Sequence, residues 1–153
     1  MVGHSDKDSK WLERYLHSTG VKGTVLHTPD VPTVEKAMER VGCEKRQIFK
    51  SVVFISETGK GYIAVVDGDS KVDKSKLEKL VGEKLRIASK DEVKRLTGYD
   101  VGGVSPFGVS CEVFVDERVF ENELVYGGGD SSHLIEISPE ELLKVGNRAK
   151  IRK

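Results

Sequence analysis

The chain has 153 residues, 37% hydrophobic and 33% charged, with 25 Lys plus Arg balanced by 25 Asp plus Glu. That length suits one ordinary domain burying about two thirds of its unfolded surface, and the composition excludes a mostly disordered chain. The neutral balance argues against a protein that grips duplex nucleic acid, so no DNA partner is expected; a contact limited to one end of a strand stays compatible.

In chain order, the first predicted element is a helix over 8–19, with Trp11, Leu12, Tyr15 and Leu16 on one side and Gly20 as its stop. KGTVLHT (22–28) has strand character, and Pro29 and Pro32 mark the loop after it. Thr33 can cap a second helix whose apolar positions are Val34, Ala37, Met38 and Val41, ended by Gly42. QIFKSVVFIS (47–56) and GYIAVVDG (61–68) are β-branched apolar runs separated by ETGK, which predicts a hairpin. A short helix over 73–82 has Asp73 as cap, Leu77, Leu80 and Val81 inward, and Gly82 as stop. KLRIA is a brief strand, after which Ser89 and Glu92 form a capping-box pattern opening a helix to about Leu96.

Strands follow at CEVFVDE (111–117) and HLIEIS, the latter entered from the turn-rich 127–132 segment. Ser138-Pro139-Glu140-Glu141 combines a cap, a proline at the first helical position and a glutamate at the third, which starts a last helix. The basic end NRAKIRK reads as a solvated tail. Strands and helices are interspersed without strict alternation. The expected fold is therefore α+β: a single domain over 1–153 with a mixed, mostly antiparallel, curled and barrel-like sheet surrounded by helices.

The opening MVGHSDKDSK lacks the apolar core of a secretory signal, and no run approaches the roughly 18 apolar residues of a membrane span. A cytoplasmic protein with no membrane partner is expected. Cys43 and Cys111 stand outside any CxxC spacing, and His4, His17, His27 and His133 lack ligand spacing such as HxxxH. No metal and no cofactor are expected, and the thiols read as buried or idle.

Three segments are candidates for chemistry. In the 48–55 strand, Lys50 shares a face with Ile48, Val52 and Phe54, while Phe49, Ser51, Val53 and Ile55 share the other. A lysine between apolar faces either snorkels to water or points into a pocket to hold an anion or carbonyl oxygen. The segment Gly102-Gly103-Val104-Ser105-Pro106-Phe107-Gly108 is either a plain turn or a loop that aims amides at a negative oxygen. It is neither a P-loop nor a dinucleotide fingerprint, because no Lys-Ser/Thr pair follows and a strand, not a helix, comes next. His133 heads a strand after glycines and is either a satisfied surface residue or a site residue. Ser105, Ser131 and Ser132 sit in no G-x-S-x-G elbow and are poor nucleophile candidates.

The segments IFKSVVF, GGVSPFG with its GxxxP pattern, and GGGDSSHLIEISPEEL, in this order, resemble the YbaK family and the related editing domain of bacterial prolyl-tRNA synthetases. TVEKAMERVG also resembles the family's first helix, and the likeness covers about 20–146. The resemblance implies a free-standing trans-editing aminoacyl-tRNA deacylase, metal-independent and without a covalent nucleophile. Its substrate would carry a small mischarged amino acid, alanine first and then cysteine or serine, on tRNA for proline. The implied partners are the acceptor end of mischarged aminoacyl-tRNA and an aminoacyl-tRNA synthetase. The alternative is a non-catalytic tRNA- or synthetase-binding module of the same fold.

Carried over by position, the resemblance gives the catalytic roles to Lys50, Gly102 and Gly103, with Val104, Ser105, Pro106 and His133 against the substrate. Lys50 would act by position and charge, because an ordinary lysine with a pKa near ~10.4 is a poor base at neutral pH. The amides of Gly102 through Ser105 would stabilise the oxyanion, Pro106 would stiffen the loop, and His133 would line the aminoacyl pocket.

Overall fold

A computed structural model describes residues 9–27, 34–100, 103–128 and 133–153. Its helices are α1 (Ser9–Thr19), α2 (Val34–Val41), α3 (Lys74–Val81) and α4 (Lys90–Thr97). Its strands are β1 (Gly23–His27), β2 (Phe49–Ser56), β3 (Gly61–Asp67), β4 (Leu85–Ile87), β5 (Glu112–Asp116), β6 (Val125–Gly127), β7 (His133–Ile137) and β8 (Asn147–Ala149). Short 3-10 turns occupy Lys45–Gln47, Glu117–Glu121 and Pro139–Lys144. Thr33, Pro29 and Pro32 lie outside the described residues.

The local signals act where the sequence puts them. Asp73 accepts from the Lys76 amide at 3.2 Å to cap α3, and Gly82 ends it in the left-handed region at φ 74. Ser89 and Glu92 form a complete capping box on α4, which satisfies amides the first turn would otherwise leave unpaired. β2 and β3 form the expected hairpin, in register from Phe49↔Asp67 to Ile55↔Gly61.

The described strands make two open sheets. One has five strands in the order β4-β2-β3-β5-β8, with β5 parallel to both β3 and β8; the other is the antiparallel set β1-β7-β6. An isolated parallel bridge, Ile48↔Tyr126, ties β6 to the entrance of β2. The architecture is α+β and mostly antiparallel as expected, but neither sheet closes on itself.

Between the sheets lies the main core. Phe49, Val53, Ile55, Ile63, Val65, Val113 and Val115 meet Ile135 and Ile137 there, joined by Leu12 and Leu16 of α1 and by Phe107. The opposite face of the large sheet (Phe54, Tyr62, Ala64, Val66, Phe114) packs on Leu77 of α3, Leu85 and Ile151. A third cluster gathers Ile48, Tyr126 and Leu134 against Met38 and Val41.

The basic end is not a solvated tail. Residues 147–149 form β8, and Ile151 is 0% exposed, with its amide donating to Asp116 Oδ1 at 2.9 Å and its carbonyl accepting from the Asp73 amide at 2.7 Å. Ile151 and strand pairing anchor the end, and its arginines contribute: Arg152 Nε lies 3.4 Å from the buried Asp116 Oδ2, and Arg148 lies over the Phe120 ring at 4.8 Å. Leu80, expected inward, is 51% exposed, because α3 is short and turns Leu77 to the core instead. The expected last helix is a 3-10 turn.

Candidate active site

Lys50 is the second residue of β2, and alternation turns it away from the main core, which its neighbour Phe49 enters. It stands opposite Val66, and its ammonium donates to Ser70 O at 2.7 Å. That carbonyl sits on a turn held by Asp67, which is 1% exposed. Asp67 accepts from the Ser70 hydroxyl and, at 3.2 Å, from the Asp69 amide. Arg118 Nε lies 3.7 Å from Asp67 Oδ2, which compensates the buried carboxylate. Half-burial pushes the Lys50 pKa below the usual lysine value; Asp67 opposes that shift, while the positive charges of Lys45 and Lys71 add to it. This lysine neither snorkels freely nor sits unpaired.

The glycine-rich segment is described from Gly103 onward; Gly102 lies outside the described residues. The Gly103 amide donates to Asp100 O at 3.0 Å and closes a turn. Among the described residues, the amides of Val104 and Ser105 have no main-chain acceptor. Val104 packs on the edge of the main core, Pro106 is buried, and Ser105 and Phe107 are 0% exposed.

The far end of the loop is clamped. Tyr99 OH donates to Phe107 O at 2.6 Å, and burial pushes its phenol well above the ordinary tyrosine value. Trp11 and Tyr15 of α1 stack at 5.3 Å, with Tyr99 edge-on to Trp11 and Phe107 beside Tyr15. Gly108, at φ 68, passes so close that a Cβ there would lie 2.3 Å from the Trp11 ring. The loop's rigidity therefore comes from these aromatics as well as from Pro106.

β6 delivers Gly127 and Gly128 to the same place. A Cβ on Gly127 would fall 2.4 Å from Phe49 O, and one on Gly128 would meet both the Phe49 ring and Ser105 Oγ at 3.3 Å. Phe49, Ser105 and Gly128 thus form one contact group, one residue along β2 from Lys50. The Ser105 side chain is packed there and is not displayed as a nucleophile. His133 opens β7 directly opposite His27, with His27 Nδ1 and His133 Nε2 3.3 Å apart. Ser131 and Ser132 lie outside the described residues.

The structure joins the loop to Phe49 and Gly128, joins Lys50 to the Asp67–Ser70 turn, and joins His133 to His27. The Lys50 ammonium leaves β2 on the face opposite the Phe49 ring. His27, Phe49 and Gly128 are neighbours that residue spacing alone does not single out, since sheet register brings them in. A groove of about 810 Å³ lies elsewhere, along α1, β1 and β7, lined by residues that include Glu13, His17, Lys22, Thr24 and Leu124. Among the described residues, no group of three or more His, Cys, Asp or Glu could hold a metal ion, and no helix is long and apolar enough to cross a membrane.

The family model for the aminoacyl-tRNA editing domain matches residues 28–145. The chain belongs to this family. Within the aminoacyl-tRNA editing domain family it is 36% identical over 113 residues to the uncharacterized protein YwhH of Bacillus subtilis, spanning 72% of each chain. It is 29% identical over 119 residues to EbsC of Enterococcus faecalis, a candidate Cys-tRNA(Pro)/Cys-tRNA(Cys) deacylase, spanning 75% of this chain and 73% of that one. It also matches a proline–tRNA ligase of Caldicellulosiruptor saccharolyticus at 30% identity over 95 residues, which is 61% of this chain but only 16% of the ligase. Among solved structures, a candidate trans-editing enzyme for prolyl tRNA synthetase superposes with a TM-score of 0.86 at 33% identity, over 93% of this chain and 94% of the other.

Proposed function

We propose that this aminoacyl-tRNA editing domain, spanning 1–153, is a deacylase acting in trans in the cytoplasm without a metal. It would remove a small mischarged residue, alanine first and then cysteine or serine, from tRNA for proline. The observation that carries the reading is the buried Ser105–Phe107 segment, braced by Tyr99 and meeting Gly128, which also lies against Phe49; Lys50 is the next residue of β2, its ammonium on the other face. A trans-acting role is supported by the likeness to the candidate trans-editing enzyme, at 33% identity and a TM-score of 0.86.

In this mechanism water adds to the ester carbonyl carbon, and the carbonyl electrons move onto oxygen. The amides of Val104 and Ser105, with that of Gly102 as the resemblance implies, stabilise that oxyanion, each donor being worth about 10²–10³ in rate; the Gly103 amide, expected to share this role, donates to Asp100 O and holds the turn instead. The tetrahedral intermediate then breaks its bond to the ribose oxygen, which takes up the proton the attacking water gave up, giving free amino acid and uncharged tRNA. The vicinal ribose hydroxyl positions the water, as the family resemblance implies. Lys50 exchanges Ser70 O for oxygens of the terminal nucleotide and holds them by charge and hydrogen bonding. Pro106 keeps the loop in shape, and His133 borders the aminoacyl group.

The second reading, a tRNA- or synthetase-binding module without activity, is favoured by the Lys50 ammonium being engaged with Ser70 O. One assay separates the two. Purified protein is incubated with Ala-, Ser- and Cys-charged tRNA for proline, with and without chelator, and ester loss is followed. The deacylase reading expects turnover on at least alanine, insensitivity to chelator, and a fall of about 10²-fold in Lys50→Ala with an unchanged circular dichroism spectrum. No ester loss across the panel sinks it in favour of the binding module.

A further inference from the structure

His27 and His133 are cross-strand partners at the end of the β1–β7 pairing, on the face that carries Val25 and Ile135. Their rings meet edge to face, with centroids 5.0 Å apart and an interplanar angle of 67°. His27 Nδ1 lies 3.3 Å from His133 Nε2. Neutral imidazole offers one donor and one acceptor nitrogen, so this contact forms only when one ring carries the proton and the other presents a lone pair. Each ring therefore constrains the other's tautomer and orientation.

We propose that His27 is a positioning residue for His133. His133 Nε2–H donates to His27 Nδ1, which holds His133 as the Nε2–H tautomer with its Nδ1 as an acceptor. Two features separate this from a role in holding the sheet together. β1 and β7 are already paired along their length from Gly23↔Ile137 to His27↔His133, with Leu134, Ile135 and Ile137 buried beneath. His27 itself is exposed, and removing one hydrogen bond there leaves the paired strands and the core under them in place. What it fixes is the ring plane and proton position of the neighbouring histidine. The consequence for catalysis rests on the reading that His133 borders the aminoacyl group: a ring of fixed tautomer presents one hydrogen-bonding pattern to the substrate.

The test uses the full chain, ¹⁵N-labelled, at about pH 8. Imidazole nitrogen shifts are recorded for wild type, His27→Phe and His27→Asn. Phenylalanine keeps a ring suited to a strand but offers no acceptor, whereas the asparagine amide oxygen takes nearly the place of Nδ1. The expected result is a dominant Nε2–H tautomer at His133 in wild type and His27→Asn, and averaged nitrogen shifts in His27→Phe. On Ala-charged tRNA, His27→Phe should lower kcat by about 10-fold with little change in KM, and His27→Asn should recover most of the rate. Identical His133 nitrogen shifts in wild type and His27→Phe overturn the proposal. Shifts that move as expected while kcat stays constant uphold the positioning of His133 and remove His133 from the aminoacyl pocket.

Discussion

Ile151→Ala tests whether the basic end belongs to the core. The side chain is 0% exposed and lies in a cluster with Phe54, Tyr62, Val66, Leu77 and Phe114. The substitution removes three carbons, worth about 0.8 kcal/mol each in transfer, or roughly 2.4 kcal/mol before any cavity cost. The cavity adds to that, while the proximity of the chain end lets the site partly collapse, so a total of about 3 kcal/mol is expected. For a domain of this size the thermal midpoint should fall by about 9 °C, at roughly 3 °C per kcal/mol. In urea, with a slope of about 2 kcal/mol/M, the midpoint should fall by about 1.5 M. The assay is urea unfolding followed by circular dichroism, with exposed Leu80→Ala as the control. A midpoint shift no larger than the control's would mean that Ile151 is not a core residue and that the tail is solvated after all.

Gly127→Ala probes the seam between the sheets. Its Cβ would lie 2.4 Å from Phe49 O, a main-chain atom, so β6 must move away from β2. A stability loss of about 1–3 kcal/mol is expected, with a fall in deacylation rate at temperatures where the variant is still folded; wild-type stability in urea would refute the contact. Glu92→Gln probes pH. The hydrogen bond from Arg86, then the one from the Ser89 amide, hold the Glu92 carboxyl down at about 2 against an ordinary 4.5. A carboxyl lowered in the folded state stabilises above its unfolded value and loses that contribution as pH falls. Glutamine keeps the capping box without the charge, so the gap in urea midpoint between wild type and variant should be open at neutral pH and close between about 4.5 and about 2. A gap that does not change with pH would rule out the charge as its source.

What could be read from the sequence was what local chemistry decides. Asp73 with Gly82, and Ser89 with Glu92, fix the starts and stops of α3 and α4 within a few residues of chain, so α3 and α4 stand where expected. The β2–β3 hairpin was equally plain, because two β-branched runs flank a short turn. β8 was hidden because its pairing is parallel to β5, a partner with no local signature, and because Lys and Arg dominate its composition. β6 has only three residues and runs into glycines. In the site, Lys50 and the glycine-proline loop stood out by residue type. Their partners did not: Lys50 bonds a main-chain carbonyl that no side-chain pattern marks, and His27 meets His133 from 106 positions away.

β2 is used twice. Along its whole length it pairs with β3; on its other edge its last residues pair with β4, and the residue just before it, Ile48, bridges to Tyr126 of β6. Detaching the three-stranded sheet would uncover Ile48, Phe49 and the inward faces of Ile135 and Ile137 together. Neither sheet can melt alone without exposing the apolar core that both cover, so the molecule should lose structure in a single cooperative step. The loop, Gly128 and Phe49 meet across that same seam. Their arrangement therefore exists only while both sheets are intact, so the proposed deacylation would report global folding, not local order around the loop.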